Sequence, residues 1–287
     1  MPAFRKIVIF YNFSEEKLLL DTIKQKEDPM LRRKITSRLQ KWKNSKSQKV
    51  LCITGARKTG KSSVVRAFAK ENYEVFVELN FRDDVRARKI FEEGLGLEQW
   101  LSGIGALSGR QLVPGQTLVL LDEIQKCPEA RTAVKDLIED GRYDCIETLS
   151  LPGRQDSDLH SSLTDYEEPV RMYPLDLEEF FWAMSVQPEV FAHLQSCYEN
   201  HQPVNQAVHA RLLDLFRYYL VVGGMPEVVQ SFVKERGFPS MAYLQKQIVD
   251  GYRLDIFRYA SPANQVKIGN LFESVLCSSL TNRLAFI

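Results

Sequence analysis

Residues 55–62 read Gly-Ala-Arg-Lys-Thr-Gly-Lys-Ser and fill every fixed position of the pattern G-x-x-x-x-G-K-[ST]. These residue types at this spacing suit one chemistry. The glycines let the backbone turn so tightly that successive amide N–H groups converge on an anion. A helix beginning at the end of the loop turns its positive end toward the same point. Gly55, Ala56, Arg57, Lys58, Thr59, Gly60, Lys61, Ser62 and Ser63 are therefore the candidate cradle for a nucleotide's phosphates. Lys61 would reach the β and γ oxygens, and the Ser62 hydroxyl would hold Mg²⁺.

A pair of acids follows a run of four apolar residues in "LVLLDE", residues 118–123. Asp122 would hold the magnesium through a water, and Glu123 would polarise an attacking water as a general base does. Lys61 and Glu123 are thus the candidate catalytic residues, and Ser62 and Asp122 the candidate metal ligands. ATP is the expected substrate and ADP the expected product. In "IETLS" (146–150), Thr148 and Ser150 are candidates for sensing the γ-phosphate; capping of nearby backbone is the equal alternative. Arg131, Arg142, Arg154 and Arg171 all follow the acidic pair, and the sequence does not choose among them for the arginine that stabilises transferring charge.

Such groups need rigid elements to hold them. "VLCIT" (50–54) reads as a buried strand and "SVVRAFAKE" (63–71) as the helix after the loop. "YEVFVELNF" (73–81), "TLVLLDE" (117–123) and "YDCIETLS" (143–150) read as further strands. The continuous apolar run in the second of these marks a strand buried on both faces. "PEARTAVKDLIEDG" (128–141) reads as a helix, with Pro128 at its start and Gly141 past its end. Strands alternating with helices from 49 to 150 predict an α/β fold with a parallel sheet flanked by helices. Residues 151–169 read as a long polar loop, and 170–184 as a short strand and a helix. A smaller helical domain follows. The expected division is an N-terminal helical and basic segment (1–48), the phosphate-loop domain (49–184) and the helical domain (185–287).

Composition restricts the partners. The 287 residues carry a net charge of +1, so no global field favours nucleic acid or membrane. No apolar run reaches the length that spans a bilayer, and the start "MPAFRKIVIFYNF" lacks a small-residue cleavage site. Five cysteines with no CxxC read as reduced, buried thiols of a cytoplasmic protein. His160, His193, His201 and His209 lack metal-ligand company. Residues 32–49 hold eight Lys or Arg and no acid, with Trp42 among them. They could grip a nucleic-acid backbone with tryptophan stacking. The preferred reading is a helix with Trp42 in its apolar stripe and a solvated basic face.

The chain resembles the large prokaryotic family of AAA-type P-loop ATPases, whose ATPase domain is usually followed by a C-terminal domain of unknown function with a nuclease-like fold. The resemblance rests on "ITGARKTGKSSVVRAFAKENYEVFVELNF" and "LVLLDEIQKCPEARTAVKDLIEDGRYDCIETLS". It continues through "YPLDLEEF", "YYLVVGGMPEVVQSFV" and "QIVDGYRLDIFRYA". It implies a Walker A loop at Gly55 to Ser62, Walker B acids at Asp122 and Glu123, and a helical domain containing the Gly223–Glu227 turn. Three features depart from the family. Leu149 stands where members have glycine, "LPGRQDSDLH" replaces the usual turn, and the nuclease-like domain is missing or truncated. The resulting expectation is ATP hydrolysis that drives or switches a conformational change on an unknown protein client. The alternative is a nucleotide-regulated switch with little turnover, associated with nucleic acid.

Overall fold

The computed structural model describes residues 31–45, 49–92, 94–150, 165–235 and 238–284. The expectations for the first thirty residues, for "LPGRQDSDLH", Arg154 and His160 lie outside the described residues. The α/β part contains α1 (Ile35–Ser45), β1 (Val50–Gly55), α2 (Lys61–Asn72), β2 (Val75–Asn80), α3 (Val85–Lys89), α4 (Leu97–Ser108) and β3 (Thr117–Asp122). It continues with α5 (Pro128–Asp140), β4 (Asp144–Ser150) and β5 (Glu167–Arg171). All strand pairs are parallel, and the order across the sheet is β2-β3-β4-β1-β5. Six helices complete the described chain: α6 (Leu177–Ala183), α7 (Pro188–Glu199), α8 (Gln206–Val222), α9 (Pro226–Glu235), α10 (Phe238–Tyr259) and α11 (Pro262–Leu284).

Strand alternation sorts the core onto two faces. Leu51, Ile53, Leu118, Leu120 and Ile146 pack with Leu39 and Trp42 of α1 and with Val64, Val65 and Phe68 of α2. Cys52, Val77, Leu79, Val119, Leu121 and Leu149 face the other way, onto α4 and α5. A third core joins Leu175, Phe180 and Phe181 to Leu215, Val228, Val229, Phe232 and Ile248, so α6 packs with the C-terminal helices.

β5 begins at Glu167, three residues before the strand expected from the sequence. Its charges hide it from a hydrophobicity pattern. Arg131 on α5 is buried, and its guanidinium pairs with Glu147 on β4 at 2.7 Å and also with Glu167 on β5. One cation thus ties the two strands that flank β1. Cys52, between them, brings its sulfur within 4.8 Å of both carboxylates. Burial pushes the Cys52 thiol up, as it does for Cys127 and Cys145, so these are inert core groups.

Two glycines permit close backbone crossings. A Cβ on Gly55 would lie 2.2 Å from the Met172 carbonyl oxygen, and one on Gly224 would lie 2.1 Å from that of Leu175. Between Gly224 and Leu175, the Leu175 N–H donates to the Gly224 carbonyl at 2.7 Å. Gly224 therefore lets the turn before α9 lie flat on the segment entering α6.

The basic stretch is largely consumed internally. Lys34 pairs with Asp176 and Glu178, both at 2.6 Å, and Arg38 pairs with Glu168 at 2.7 Å. Lys43 donates to the Asn72 carbonyl, and Arg32 lies 4.4 Å over the Trp182 ring. Trp42 is buried and donates to the Lys49 carbonyl at 2.9 Å, so it offers no stacking face. The bland reading of this helix is the one that the geometry supports.

Two outcomes test these assignments. Gly224→Ala is expected to cost about 3 kcal/mol in urea unfolding, because the added methyl overlaps backbone that cannot move aside. Burial, with the neighbouring Glu167 charge adding to it against Arg131, raises Glu147 from 4.5 to about 7. The protonated form is favoured on folding, so its contribution is full below pH 4.5 and is lost as pH rises toward 7. The melting temperature of wild type minus that of Glu147→Gln should therefore fall between pH 5 and pH 8; a flat difference contradicts this.

Candidate functional site

The sheet order creates the site. β4 lies between β1 and β3, so the loop after β1 and the acids after β3 face each other across the end of β4. This is the carboxyl edge of a parallel sheet, where ligands of such folds bind. The predicted phosphate-loop residues run without a break from Gly55, the last residue of β1, through the turn at 56–60 to Lys61, Ser62 and Ser63 in the first turn of α2. Gly60 adopts φ 93° and Lys58 φ 63°, both left-handed, which brings the chain round into the first turn of α2. The buried Thr59 hydroxyl donates to the Ala56 carbonyl at 2.9 Å and braces the loop from within.

Lys61 is the first residue of α2, and only 4% of it is exposed. Its ammonium donates to the carbonyls of Gly55 and Ala56 and to Ser150 Oγ, each at 3.0 Å. Among the described residues, no carboxylate is hydrogen-bonded to it. Burial lowers its pKa; Glu123 and Asp122 work against that, and Arg57 adds to it. A buried cation held by neutral groups is poised to receive an anion.

The predicted metal ligands meet directly: the Ser62 hydroxyl donates to Asp122 Oδ1 at 2.6 Å. Thr148 Oγ1 also donates to Oδ1 at 2.6 Å and accepts from the Glu123 N–H at 3.1 Å. Asn80, at the end of β2, donates to Asp122 Oδ2 at 3.1 Å. Glu123 has φ 57°, a strained value for a side-chain-bearing residue. Its carboxylate accepts from the Ser150 hydroxyl through Oε1 and from Gln125 Nε2 at 2.8 Å through Oε2. Ser150 thus bridges Lys61 and Glu123. Leu149 packs into the opposite face of the sheet, so this departure from the family pattern leaves the Thr148 and Ser150 hydroxyls aimed at the site.

The structure adds residues that the sequence did not single out. Arg33, read as one charge among eight, is 7% exposed. It donates to the Thr59 carbonyl at 2.9 Å and to that of Tyr173 at 2.6 Å, and pairs with Glu179 at 3.2 Å. Beside it lies a cavity of about 320 Å³ lined by Leu31, Arg33, Lys58, Gly60, Ser63, Val64, Pro226, Glu227 and Gln230. From the C-terminal helices, Asp255 takes the Arg57 guanidinium at 2.6 Å, and the Tyr252 hydroxyl donates to the Arg57 carbonyl at 2.8 Å. Both lie in the stretch "QIVDGYRLDIFRYA", but nothing local there points to a partner 195 or more positions away. Of the described arginines after the acidic pair, two are engaged in ion pairs elsewhere. Arg131 is enclosed by Glu147 and Glu167, and Arg142 pairs with Asp140 and Glu98 before the start of β4. Arg171 is exposed at the end of β5.

Residues 47–181 match the family model described as AAA domain. These residues, just under half of the chain, are thus similar to AAA-family ATPase domains. Residues 213–286 match a second model, described as a domain of unknown function. This second match begins within α8 and takes in α9, α10 and α11. A comparison with the curated proteins finds no match. Among solved structures, the chain is similar to the Walker-type ATPase of Pyrococcus abyssi: 17% identity, TM-score 0.45, covering 85% of this chain and 81% of that one. It is also similar to C. elegans PCH-2: 14% identity, TM-score 0.40, covering 93% and 72%. A third similarity is to the Aeropyrum pernix ORC1 protein in complex with DNA: 13% identity, TM-score 0.37, covering 68% of each chain. Among the described residues of the AAA domain and the helices after it, no helix is long and apolar enough to cross a membrane.

The hydroxyl network gives a graded prediction. Thr148→Val leaves the Glu123 N–H without its acceptor and takes one of two donors from Asp122 Oδ1, and should cost about 1–3 kcal/mol in chemical denaturation. Ser150→Ala removes a hydroxyl whose partners keep other bonds, and should cost about 1 kcal/mol or less. Equal costs contradict the network.

Proposed function

We propose that the AAA domain binds ATP with Mg²⁺ at residues 55–63 and hydrolyses it to ADP and phosphate. The observation that carries this is Lys61: a buried ammonium held by two carbonyls and a hydroxyl, facing an acidic pair across the end of β4. The cavity beside Arg33 is of a size to take the base, and Ser63 and Val64 on its wall belong to the first turn of α2. The phosphates would then lie over the helix start, against the loop amides and Lys61.

The donor set fits magnesium. Ser62 Oγ and Asp122 Oδ1 are hard oxygen ligands already in contact, and Asn80 fixes the second carboxylate oxygen. Ser62 would hold the ion directly and Asp122 through water; when bound, the ion neutralises charge on the phosphate oxygens. Glu123 would accept a hydrogen bond from the attacking water and orient it. The water oxygen bonds to the γ-phosphorus, the bond to the bridging oxygen breaks with its electron pair leaving on ADP, and the water proton ends on the phosphate. Lys61 and the loop amides offset the developing charge. To reach the water, the Glu123 carboxylate must give up its bond from Ser150. Ser150 would then be free to donate to the γ-phosphate while still accepting from Lys61.

Phosphate release and nucleotide binding test the reading. Wild type is expected to release phosphate from ATP. Glu123→Gln should bind ATP with turnover reduced at least about a hundredfold, and Lys61→Ala should lose binding at least about tenfold. Binding without release above the Glu123→Gln background would leave a switch in place of an enzyme. No nucleotide bound by wild type would overturn the site.

A further inference from the structure

The phosphate loop is gripped from outside its own domain. Arg57 and Asp255 are paired across 198 positions of sequence, with side chains only 27% and 14% exposed. Tyr252, one helical turn before Asp255 on α10, binds the backbone of the same loop residue. Lys58 pairs with Glu227 at 3.1 Å, but that pair is exposed and contributes little. Thr59, Lys61 and Arg33 hold the Gly55, Ala56 and Thr59 carbonyls without help from α10, which holds that of Arg57. What α10 adds is a carboxylate placed on a loop cation whose charge opposes that of Lys61.

We propose that Asp255 is a positioning residue that sets the loop's affinity for polyphosphate: in the nucleotide-free protein it holds Arg57 against α10, and bound polyphosphate competes for that arginine. This rests on the reading of residues 55–63 as the nucleotide site. A polyphosphate anion is attracted by Arg57 and repelled by Asp255, so its arrival weakens the tie to α10. By linkage, whatever loosens α10 must strengthen nucleotide binding by the same factor. The C-terminal helical region would in this way tune the site, and report its occupancy, through one ion pair.

The test uses the full chain carrying Glu123→Gln, so that ATP is held without turnover. Asp255→Asn keeps the side-chain shape and should tighten Mg²⁺-ATP binding by about three- to tenfold in calorimetry. In an Arg57→Ala background the same substitution should change binding less than about twofold. Equal tightening in both backgrounds would reduce Asp255 to a distant charge and overturn the proposal, as would no tightening at all. Hydrogen exchange supplies a readout independent of nucleotide. Without ATP, Asp255→Asn and Arg57→Ala should each raise exchange across residues 252–257, and the double variant should raise it no further. Additive increases, or none, overturn the tie itself. If the exchange pattern is as expected but wild type binds no ATP, the nucleotide reading falls and the affinity role falls with it.

Discussion

A positive charge kept out of water is the constraint around which this molecule is arranged. An ammonium as enclosed as that of Lys61 carries a desolvation cost that only dipoles and anions nearby can offset. The carbonyls of Gly55 and Ala56 provide the dipoles, which requires the loop to curl back over its own helix start. The Ser150 hydroxyl provides a third, which requires β4 to lie beside β1. Asp122 and Glu123 provide the opposite charge, which requires β3 to be next in the sheet. Strand order, loop conformation and placement of the acids are thus three answers to one electrostatic demand.

Much of this was legible in the sequence because it is local. The loop pattern, the apolar strands on either side of it and the acids at the end of β3 are each contained in a short window. The alternation of elements specified a parallel sheet without further help. The start of β5 was hidden because Glu167 and Glu168 carry charges where a strand is expected to be apolar. Glu167 is acceptable there because Arg131 reaches it from α5. Arg33 was misjudged for the converse reason: in a run of eight basic residues nothing local distinguishes the one that turns inward. Its partners, the carbonyls of Thr59 and Tyr173, leave no mark on side-chain identity. For Tyr252 and Asp255 the stretch was visible in the sequence and the partner was not, since docking of α10 exists only in three dimensions.

Glycines carry two different kinds of information. Gly60 is needed for its left-handed backbone, a local requirement that motif logic supplies. Gly55 and Gly224 are needed because another chain segment passes where a side chain would be. The first crossing seats the chain after β5 against the phosphate loop. The second seats the turn before α9 against the entry to α6. Together they allow the helical region to come close enough to the sheet edge to touch the nucleotide site at all.

The wide sequence separation of these contacts also has a consequence in time. The phosphate loop is made early, yet Ser150 follows Lys61 by 89 residues and Asp255 follows Arg57 by 198. At a synthesis rate of about 5–20 residues per second, about 10–40 s pass between the making of Arg57 and that of Asp255. Parallel strands joined through distant crossovers pair slowly in any case, because loop closure precedes the reward of contact. During synthesis, then, the anion cradle is the first piece of the site to exist and the last to be completed. A ribosome-bound chain ending before α10 presents the loop with Arg57 unclaimed, so the newborn domain and the finished protein differ in the charge they show to a passing nucleotide.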